Sequence, residues 1–349
     1  MTPPVALAVD GGNSKTDLAL VRADGAVLAL ARGPLSSPHH LGLDGCLEVL
    51  GSLLAQARQE AALDKANGAV AAVAELCLAG VDFPSEEDEA ARAIRERGWA
   101  TQTAVRNDTF AVLRAGTERG WGIAVVCGAG INCVGVAPDG RHARFPSLGP
   151  ITGDWGGGYD VGLAAVSAAA RSEDGRGPRT SLERAVPAHF GLVTPTELAE
   201  AIHRRAIPQR RVIELAPLVL AEATGDPVAA EIVGRLVAEV VALARVALTR
   251  LGLERESAEV LLGGGLLQTA DGWLVEDIAA GLREVGPAVT VRATMSPAIV
   301  GAALLGLDQL GASEEAQARL RRELGEAVGR VERGLLAARS GELEGAIDG

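Results

Sequence analysis

The fold is decided by residues 5–33, which read VALAVDGGNSKTDLALVRADGAVLALARG. An apolar run stops at Asp10, a second run starts at Asp17, and Asp24-Gly25 turns the chain into a third run. Apolar segments joined by short glycine-containing turns are typical of antiparallel hairpins. This stretch therefore predicts three consecutive strands with two tight turns.

The same plan returns at residues 121–145, which read WGIAVVCGAGINCVGVAPDGRHARF, with turns at 128–130 and 138–140. Each half also contains a later apolar run that ends in small residues, at 75–80 and at 259–265. Two copies of one strand pattern indicate an internal duplication. We therefore expect an α/β protein built from two domains of the same topology.

The length of 349 residues also exceeds what one compact core usually holds. We expect an N-terminal domain over 1–117 and a C-terminal domain over 118–310, with a mostly helical insertion at about 160–225. The segment around 297–340 has helical spacing, and it is a candidate to pack back on the N-terminal domain.

Composition excludes several classes of function. The net charge of −12 leaves no basic surplus for a nucleic acid or an anionic membrane surface. No apolar stretch is typical of a membrane-spanning helix, and residues 1–9 lack a signal-peptide pattern, so we expect a cytoplasmic protein. The four cysteines have no spacing typical of a metal site or a disulfide framework.

The turn after Asp10 lies between two strands, whereas the Rossmann and Walker A phosphate loops open a helix. A hairpin with two glycines lets successive backbone N–H groups approach an anion closely. Asp10, at the strand end, is a candidate ligand of Mg²⁺. The predicted phosphate-binding residues are Gly11, Gly12, Asn13, Ser14, Lys15 and Thr16. The alternative is a turn that only closes the hairpin.

The second half carries two further glycine clusters. The turn at Gly128, Ala129 and Gly130 occupies the same topological place as the first turn, and it predicts phosphate contacts from the other domain. The absence of side chains at Gly263, Gly264 and Gly265 would leave a slot for an adenine or its ribose.

In this order the motifs resemble the sugar-kinase, Hsp70 and actin superfamily. Within it, the chain resembles the N-acetylglucosamine kinases and the associated BadF/BadG/BcrA/BcrD ATPase family. The segments that carry the resemblance are 10–16, 107–109, 127–133, 149–158, 261–266 and 296–303. The resemblance implies two ribonuclease-H-like (actin-like ATPase) domains with a cleft between them that binds ATP.

The resemblance further implies transfer of the ATP γ-phosphate, with Mg²⁺, to the 6-hydroxyl of an amino sugar, N-acetylglucosamine or glucosamine. Asp108 would be the general base, because an ionised carboxylate can accept the hydroxyl proton as phosphorus is attacked. The alternative for Asp108 is a helix N-cap, since a helical stretch follows it.

The sugar-contacting residues that the resemblance implies are Ser37, Gly80, Asn107, Asp108, Asn132, Gly149 and Asp154. Asp154 is alternatively an N-cap, and Asn132 a turn residue with left-handed φ. Ser37 stands where relatives often have asparagine. Because of this difference, the preference for an N-acetylated sugar stays open. The roles of His39 and His40 stay open as well.

Other functions remain open at this point. N-acetylmannosamine and N-acetylmuramic acid are alternative substrates. An activator ATPase with an iron–sulfur cluster is a second hypothesis, although the cysteines match no cluster motif. A non-catalytic sugar or nucleotide sensor on the same fold is a third. Homodimers are common among such kinases, so a homodimer is a further candidate.

Overall fold

The structure is a computed structural model that describes residues 4–63, 69–268 and 272–347. The chain divides into two compact units. The first contains Met1–Glu118 and Ser296–Gly349, and the second contains Arg119–Met295.

The secondary structure follows in chain order. The first unit begins with β1 (Val5–Gly11), β2 (Lys15–Arg22), β3 (Val27–Pro34), α1 (Pro38–Glu60), β4 (Ala71–Leu78), α2 (Pro84–Glu96), β5 (Ala100–Asn107) and α3 (Thr109–Gly116). The second unit contains β6 (Gly122–Cys127), β7 (Ile131–Val136), β8 (His142–Arg144), α4 (Gly157–Glu173), α5 (Leu182–His189), α6 (Pro195–His203), α7 (Ala216–Glu222), α8 (Pro227–Leu251), β9 (Glu259–Gly263), α9 (Gly265–Gln268), α10 (Gly272–Arg283) and β10 (Thr290–Ala293). The chain then returns to the first unit as α11 (Ala298–Gln309) and α12 (Glu314–Ile347).

The first sheet has the strand order β3-β2-β1-β4-β5. β1, β2 and β3 pair antiparallel, whereas β4 runs parallel to β1 and β5 parallel to β4. The register places Asp10 opposite Asp17, Gly11 beside Leu78, and Leu78 beside Asn107. The carboxyl ends of three parallel strands therefore meet at one edge, where the Asp10 turn and the Asp108 loop begin.

The second sheet has the order β10-β9-β6-β7-β8, with the same pattern of antiparallel and parallel pairs. Its β6 is the counterpart of β1, and β9 and β10 are the counterparts of β4 and β5. The predicted fold class, a duplicated α/β architecture, is confirmed. The segment expected to form a helical insertion contains α4, α5, α6 and α7.

Helices cover both faces of the first sheet. On one face, Leu50 of α1 and Ile94 of α2 are fully buried with the strands. On the other face, α11 buries Ile299 and Leu304 against β1 and α3. At Gly301 a Cβ atom would lie 1.8 Å from the carbonyl oxygen of Ala111, so α11 crosses α3 at backbone contact.

The second unit ends at Met295, before the expected end of the C-terminal domain at 310. The segment from Ser296 onward belongs to the first unit, where α11 is part of the core, in agreement with the expectation that the segment around 297–340 packs back on the N-terminal domain. Within the described ranges, no helix combines the length and apolar character needed to cross a bilayer.

Candidate active site

The turn between β1 and β2 is closed by the Gly12 N–H, which donates to the Lys15 carbonyl oxygen at 2.9 Å. Gly11 is required for packing: a Cβ there would lie 2.5 Å from Leu78 Cδ2 and 2.7 Å from Ser36 Oγ. The first predicted glycine therefore lets the strand end approach its neighbours. The turn itself, residues 13–15, is exposed.

The hydroxyls of this turn differ in their surroundings. Ser14 is exposed, but Thr16 is fully buried and its Oγ1 donates to Ser36 Oγ at 2.8 Å. The Thr16 hydroxyl therefore stabilises the strand below the turn. It is buried, so it does not lie at the surface with the exposed side chains of Ser14 and Lys15.

Asp10 lies at the end of β1 and is half-buried. Burial raises its pKa to about 7, with the carboxylates of Asp108 and Asp17 adding to the effect and the cations Lys15 and Arg32 opposing it. Asp10 and Asp108 are therefore close enough to repel each other when both are ionised. Such a pair of carboxylates favours a cation, although the described residues include no cluster of three or more His, Cys, Asp or Glu arranged around a metal position.

Asn107 holds the loop that carries Asp108. Its Nδ2 donates to the Val81 carbonyl oxygen at 3.2 Å and to Asp82 Oδ1 at 2.9 Å. Its Oδ1 accepts from the Thr109 N–H at 3.0 Å and from the Thr109 hydroxyl at 2.6 Å. Both ends of the amide are thus bonded within the protein, and the residue is only 4% exposed. The Asn107 amide therefore supports the loop that carries Asp108, and its direct contact with the sugar stays a prediction.

Asp108 precedes α3 but makes no side-chain capping bond to that helix in the described structure. Asp108 occupies the N-cap position of α3, as the alternative predicts, but its carboxylate accepts no capping bond within the described ranges, and the first helical N–H, that of Thr109, donates to Asn107 Oδ1. Burial raises the pKa of Asp108 to about 6. The residue remains half-buried, so its carboxylate is shielded from water without being enclosed.

Ser37 and Gly80 form a second part of this edge. Ser37 is completely buried, and within the described ranges its Oγ has no hydrogen-bond partner. Gly80 has φ of +74°, and a Cβ there would lie 2.7 Å from Ser37 Oγ and 2.8 Å from His39 Cβ. Both His39 and His40 are exposed. An unsatisfied buried hydroxyl beside a side-chain-free residue is typical of a site that a polar ligand completes.

In the second unit, the turn between β6 and β7 is closed by the Gly128 N–H, which donates to the Gly130 carbonyl oxygen at 3.0 Å. The start of α4 packs on this turn, because the N–H of Gly158 donates to Gly128 O at 2.8 Å and that of Tyr159 to Ala129 O at 2.9 Å. The turn residues 128–130 are exposed, as an anion-binding loop requires.

Asn132 lies in β7, paired with Val126, and it does not have positive φ. The turn-residue alternative for Asn132 is therefore wrong. Its Oδ1 accepts from the Cys133 N–H and from the Ser147 hydroxyl, both at 2.7 Å. Ser147 itself has φ of +53°, a conformation that is unfavourable for residues other than glycine. Sequence reasoning missed Ser147, whose backbone strain has no signal in a single sequence.

Asp154 belongs to the loop that begins near Ser147. Its N–H donates to the Gly149 carbonyl oxygen at 3.0 Å, and its carboxylate accepts from the Thr152 hydroxyl. α4 begins later, at Gly157, where Asp160 Oδ2 accepts from the Gly156 N–H at 2.9 Å. Asp154 is therefore not the N-cap of α4, and that alternative is wrong.

The glycine cluster at 263–265 follows β9. Gly264 has φ of +84°, and a Cβ there would lie 2.3 Å from the Cys127 carbonyl oxygen. The cluster therefore lies directly beside the end of β6, within reach of the Gly128 turn. Gly263 is buried, whereas Gly265 is exposed with no heavy atom within 4 Å of its would-be Cβ in the described structure.

The sequence profile of the BadF/BadG/BcrA/BcrD ATPase family matches residues 7–306. An N-acetylmuramic acid/N-acetylglucosamine kinase of Clostridium acetobutylicum is 27% identical over 303 residues, which are 86% of this chain and 97% of that protein. An N-acetyl-D-glucosamine kinase of Dictyostelium discoideum is 25% identical over 321 residues, which are 88% of this chain and 99% of that protein.

A solved structure of a candidate N-acetylglucosamine kinase from Chromobacterium violaceum is 28% identical, with a TM-score of 0.68. The match covers 87% of this chain and 99% of that chain. A ROK hexokinase from Thermus thermophilus, at 17% identity and a TM-score of 0.52 over 88% of this chain and 100% of that chain, shares the fold. The match over residues 7–306 decides the family: this chain belongs to the BadF/BadG/BcrA/BcrD ATPase family.

Proposed function

We propose that this chain is an ATP-dependent kinase that phosphorylates the 6-hydroxyl of an amino sugar, N-acetylglucosamine or glucosamine. Family membership and the kinase names of the relatives from C. acetobutylicum and D. discoideum support the proposal. The observation that carries the mechanism is the Asp108 carboxylate, which lies at the start of α3 without making a capping bond to that helix in the part of the chain that the structure describes.

In this proposal Asp108 accepts the proton of the sugar hydroxyl. The sugar oxygen forms a bond to the γ-phosphorus while the bond from that phosphorus to the ADP oxygen breaks. A pKa of about 6 suits the task, since the carboxylate is ionised at neutral pH and remains basic enough to take a proton. Phosphoryl transfer otherwise requires mainly positioning and charge neutralisation.

Asp10 is the residue that would hold Mg²⁺. Its carboxylate lies at a strand end, and its pKa of about 7 reflects burial and the neighbouring carboxylates of Asp108 and Asp17. A cation would relieve that repulsion, so the donor chemistry fits the metal. When bound, Mg²⁺ neutralises charge on the nucleotide phosphates.

We assign nucleotide contacts to the glycine-rich loops that each unit carries. Backbone N–H groups of the exposed turns would donate to phosphate oxygens, with the Lys15 ammonium adding charge. The phosphate-contacting residues in this assignment are Gly11, Gly12, Asn13, Ser14, Lys15, Gly128, Ala129 and Gly130. The adenosine would lie against Gly263, Gly264 and Gly265, which neighbour the Gly128 turn through Cys127.

We assign the sugar to two kinds of residue. One has a buried polar group without a hydrogen-bond partner in the described structure, and the other carries its polar group on or beside a loop. The buried hydroxyl of Ser37 beside Gly80 is a donor or acceptor for a ring substituent. In the second unit the proposed sugar-contacting residues are Asn132, Gly149 and Asp154, with Ser147 orienting Asn132.

A panel assay tests this function. Purified protein with Mg-ATP is given N-acetylglucosamine, glucosamine, N-acetylmannosamine or N-acetylmuramic acid, and ADP release is measured. We expect sugar-dependent ADP release with N-acetylglucosamine or glucosamine. Release with no sugar in the panel would overturn the kinase proposal, and selective release with one of the other two would revise the substrate.

The same purified protein also distinguishes a kinase from the two alternative functions, an activator ATPase and a non-catalytic sensor. An activator ATPase would hydrolyse ATP without sugar and contain iron, yet all four cysteines are buried, and burial raises the pKa of the Cys127 thiol to about 12. A sensor would bind sugar in calorimetry without turnover. A homodimer remains a prediction, and light scattering in solution checks it.

A further inference from the structure

The long C-terminal helix α12 lies beyond the residues that the family profile matches. The family match ends at residue 306, and α12 begins at Glu314. The helix belongs to the first unit.

An apolar stripe fixes α12 on the first sheet. Leu320, Leu324 and Val328 are buried and pack with Val27 and Leu30 of β3. Residues four apart on a helix lie on one face, one above the other. The stripe therefore aligns α12 along the outer hairpin, in the direction of the Asp10 turn.

Polar contacts fix the same helix lengthwise. Glu323 Oε2 accepts from the Val27 N–H at 3.0 Å. Arg321 donates to the carbonyl oxygens of Ala115 at 2.6 Å and Thr117 at 2.7 Å, at the end of α3. These backbone partners leave α12 little freedom to slide.

Glu332 lies four residues after Val328, on the same face of α12. At this residue α12 contacts the segment that follows the Asp10 turn. Its Oε1 lies 3.4 Å from Lys15 Nζ and 3.5 Å from Arg32 Nη1. Arg32 is also bonded to Asp17, at 2.5 Å and 2.8 Å. The Lys15 side chain is half-exposed, so the Glu332 carboxylate occupies a position beside an accessible ammonium.

We infer that Glu332 sets the nucleotide affinity of this site, acting as an internal counter-ion that phosphate oxygens must displace from Lys15. This inference rests on the proposed function, because it requires that Lys15 binds phosphate. The physical reason is competition: a carboxylate and a phosphate oxygen seek the same ammonium hydrogens. Exposed ion pairs are weak, so removing the competitor should tighten binding by about two- to fivefold.

Glu332→Gln tests this with little change of shape, and Glu326→Gln is the matched control, since Glu326 is exposed on the same helix. The affinities for ATP and for adenosine are measured by calorimetry without sugar, at low and at high salt. We expect tighter ATP binding by about two- to fivefold in Glu332→Gln at low salt, a smaller difference at high salt, and unchanged adenosine binding. Glu326→Gln should match the wild type.

Equal or weaker ATP binding by Glu332→Gln would overturn the inference, as would an equal change in adenosine affinity. Equal thermal midpoints of the two variants establish that both are folded. A second variant, Lys15→Met, should abolish the difference that Glu332→Gln makes, and a persisting difference would overturn the inference. A wild type that binds no ATP would instead overturn the proposed function itself.

Discussion

The amide oxygen of Asn107 accepts two hydrogen bonds from Thr109, one from its backbone N–H at 3.0 Å and one from its hydroxyl at 2.6 Å. These two bonds hold the first residue of α3, while Asp108, at the N-cap position, makes no side-chain capping bond to the helix among the residues described. Asn107 therefore stabilises the helix start, and the Asp108 carboxylate is not used as a cap.

Asp108→Asn should lose nearly all turnover while retaining ATP binding. Asparagine preserves the shape of the side chain but accepts no proton, so we expect kcat to fall by roughly 100-fold or more. Steady-state kinetics and ATP calorimetry measure the two properties. Because burial raises the pKa of Asp108 above its unfolded value, the ionised form disfavours the folded state at neutral pH, and the variant should unfold no earlier than the wild type.

The control for Asp108→Asn is Asp88→Asn, which changes an exposed carboxylate of α2. It should retain wild-type turnover. Substantial activity in Asp108→Asn, with the control unchanged, would contradict the assignment of the base.

Asn107→Ala should misplace Asp108 without removing it. The variant loses the cap and both Nδ2 bonds of a buried amide, so we expect roughly 1–3 kcal/mol lower stability. We expect kcat to fall by about 10- to 100-fold with little change in the KM for ATP. Thr109→Val removes only the hydroxyl donor and keeps the capped N–H, so its effects should be smaller. Unchanged kcat in a folded Asn107→Ala protein would show that the cap does not position the base.

The pH dependence of kcat/KM should reflect buried carboxylates. The pKa of Asp108 is raised to about 6 and that of Asp10 to about 7, both mainly by burial. A base acts only when ionised, so activity should fall as the pH drops through 6, well above the usual value of an aspartate near 4, and protonation of Asp10 would oppose its binding of Mg²⁺. Because the Asp10 and Asp108 carboxylates interact, the pH profile gives apparent pKa values that belong to the pair and not to either residue alone. Full activity maintained down to pH 5 would be inconsistent with this environment.

The strand pattern was largely predictable, because alternating apolar runs and glycine-containing turns specify hairpins locally. The residues 5–33 and 121–145 indeed form matching three-stranded starts of two sheets with equal topology. The turn at Asp10 and the glycines beside it could be predicted for the same reason. The turn also indicated an anion site through its backbone N–H groups, whereas the nucleotide and the sugar were implied only by the resemblance, since a glycine turn by itself does not specify a ligand.

Contacts between distant segments could not be predicted in this way. The return of the segment around 297–340 to the first unit was a candidate from the sequence, but the close crossing at Gly301, which allows backbone contact with Ala111, is not revealed by a helical pattern. The burial of Thr16 depends on Ser36, twenty residues away. The sequence does place Glu332 on the same helix face as Leu320, because the two are separated by a multiple of four residues. That this face lies next to Lys15 is known only from the tertiary structure.

The crossing of α11 and α3 gives a stability prediction. Gly301→Ala would place a Cβ 1.8 Å from the Ala111 carbonyl oxygen, so the helices must separate. We expect a loss of roughly 3 kcal/mol or more, visible as a lower denaturant midpoint. Gly325→Ala in α12 is the matched control: in the described structure nothing lies within 4 Å of that Cβ, and we expect a gain of about 0.5–1 kcal/mol. Equal midpoints for the two variants would contradict the described packing.

The most direct test of the kinase assignment is identification of the product by phosphorus NMR. Wild-type protein is incubated with Mg-ATP and N-acetylglucosamine, and in parallel with glucosamine. We predict one phosphorylated sugar for each ADP, with the new ester on the 6-oxygen of one or both sugars. ADP accompanied only by inorganic phosphate, or a phosphate ester at another position, would contradict the account.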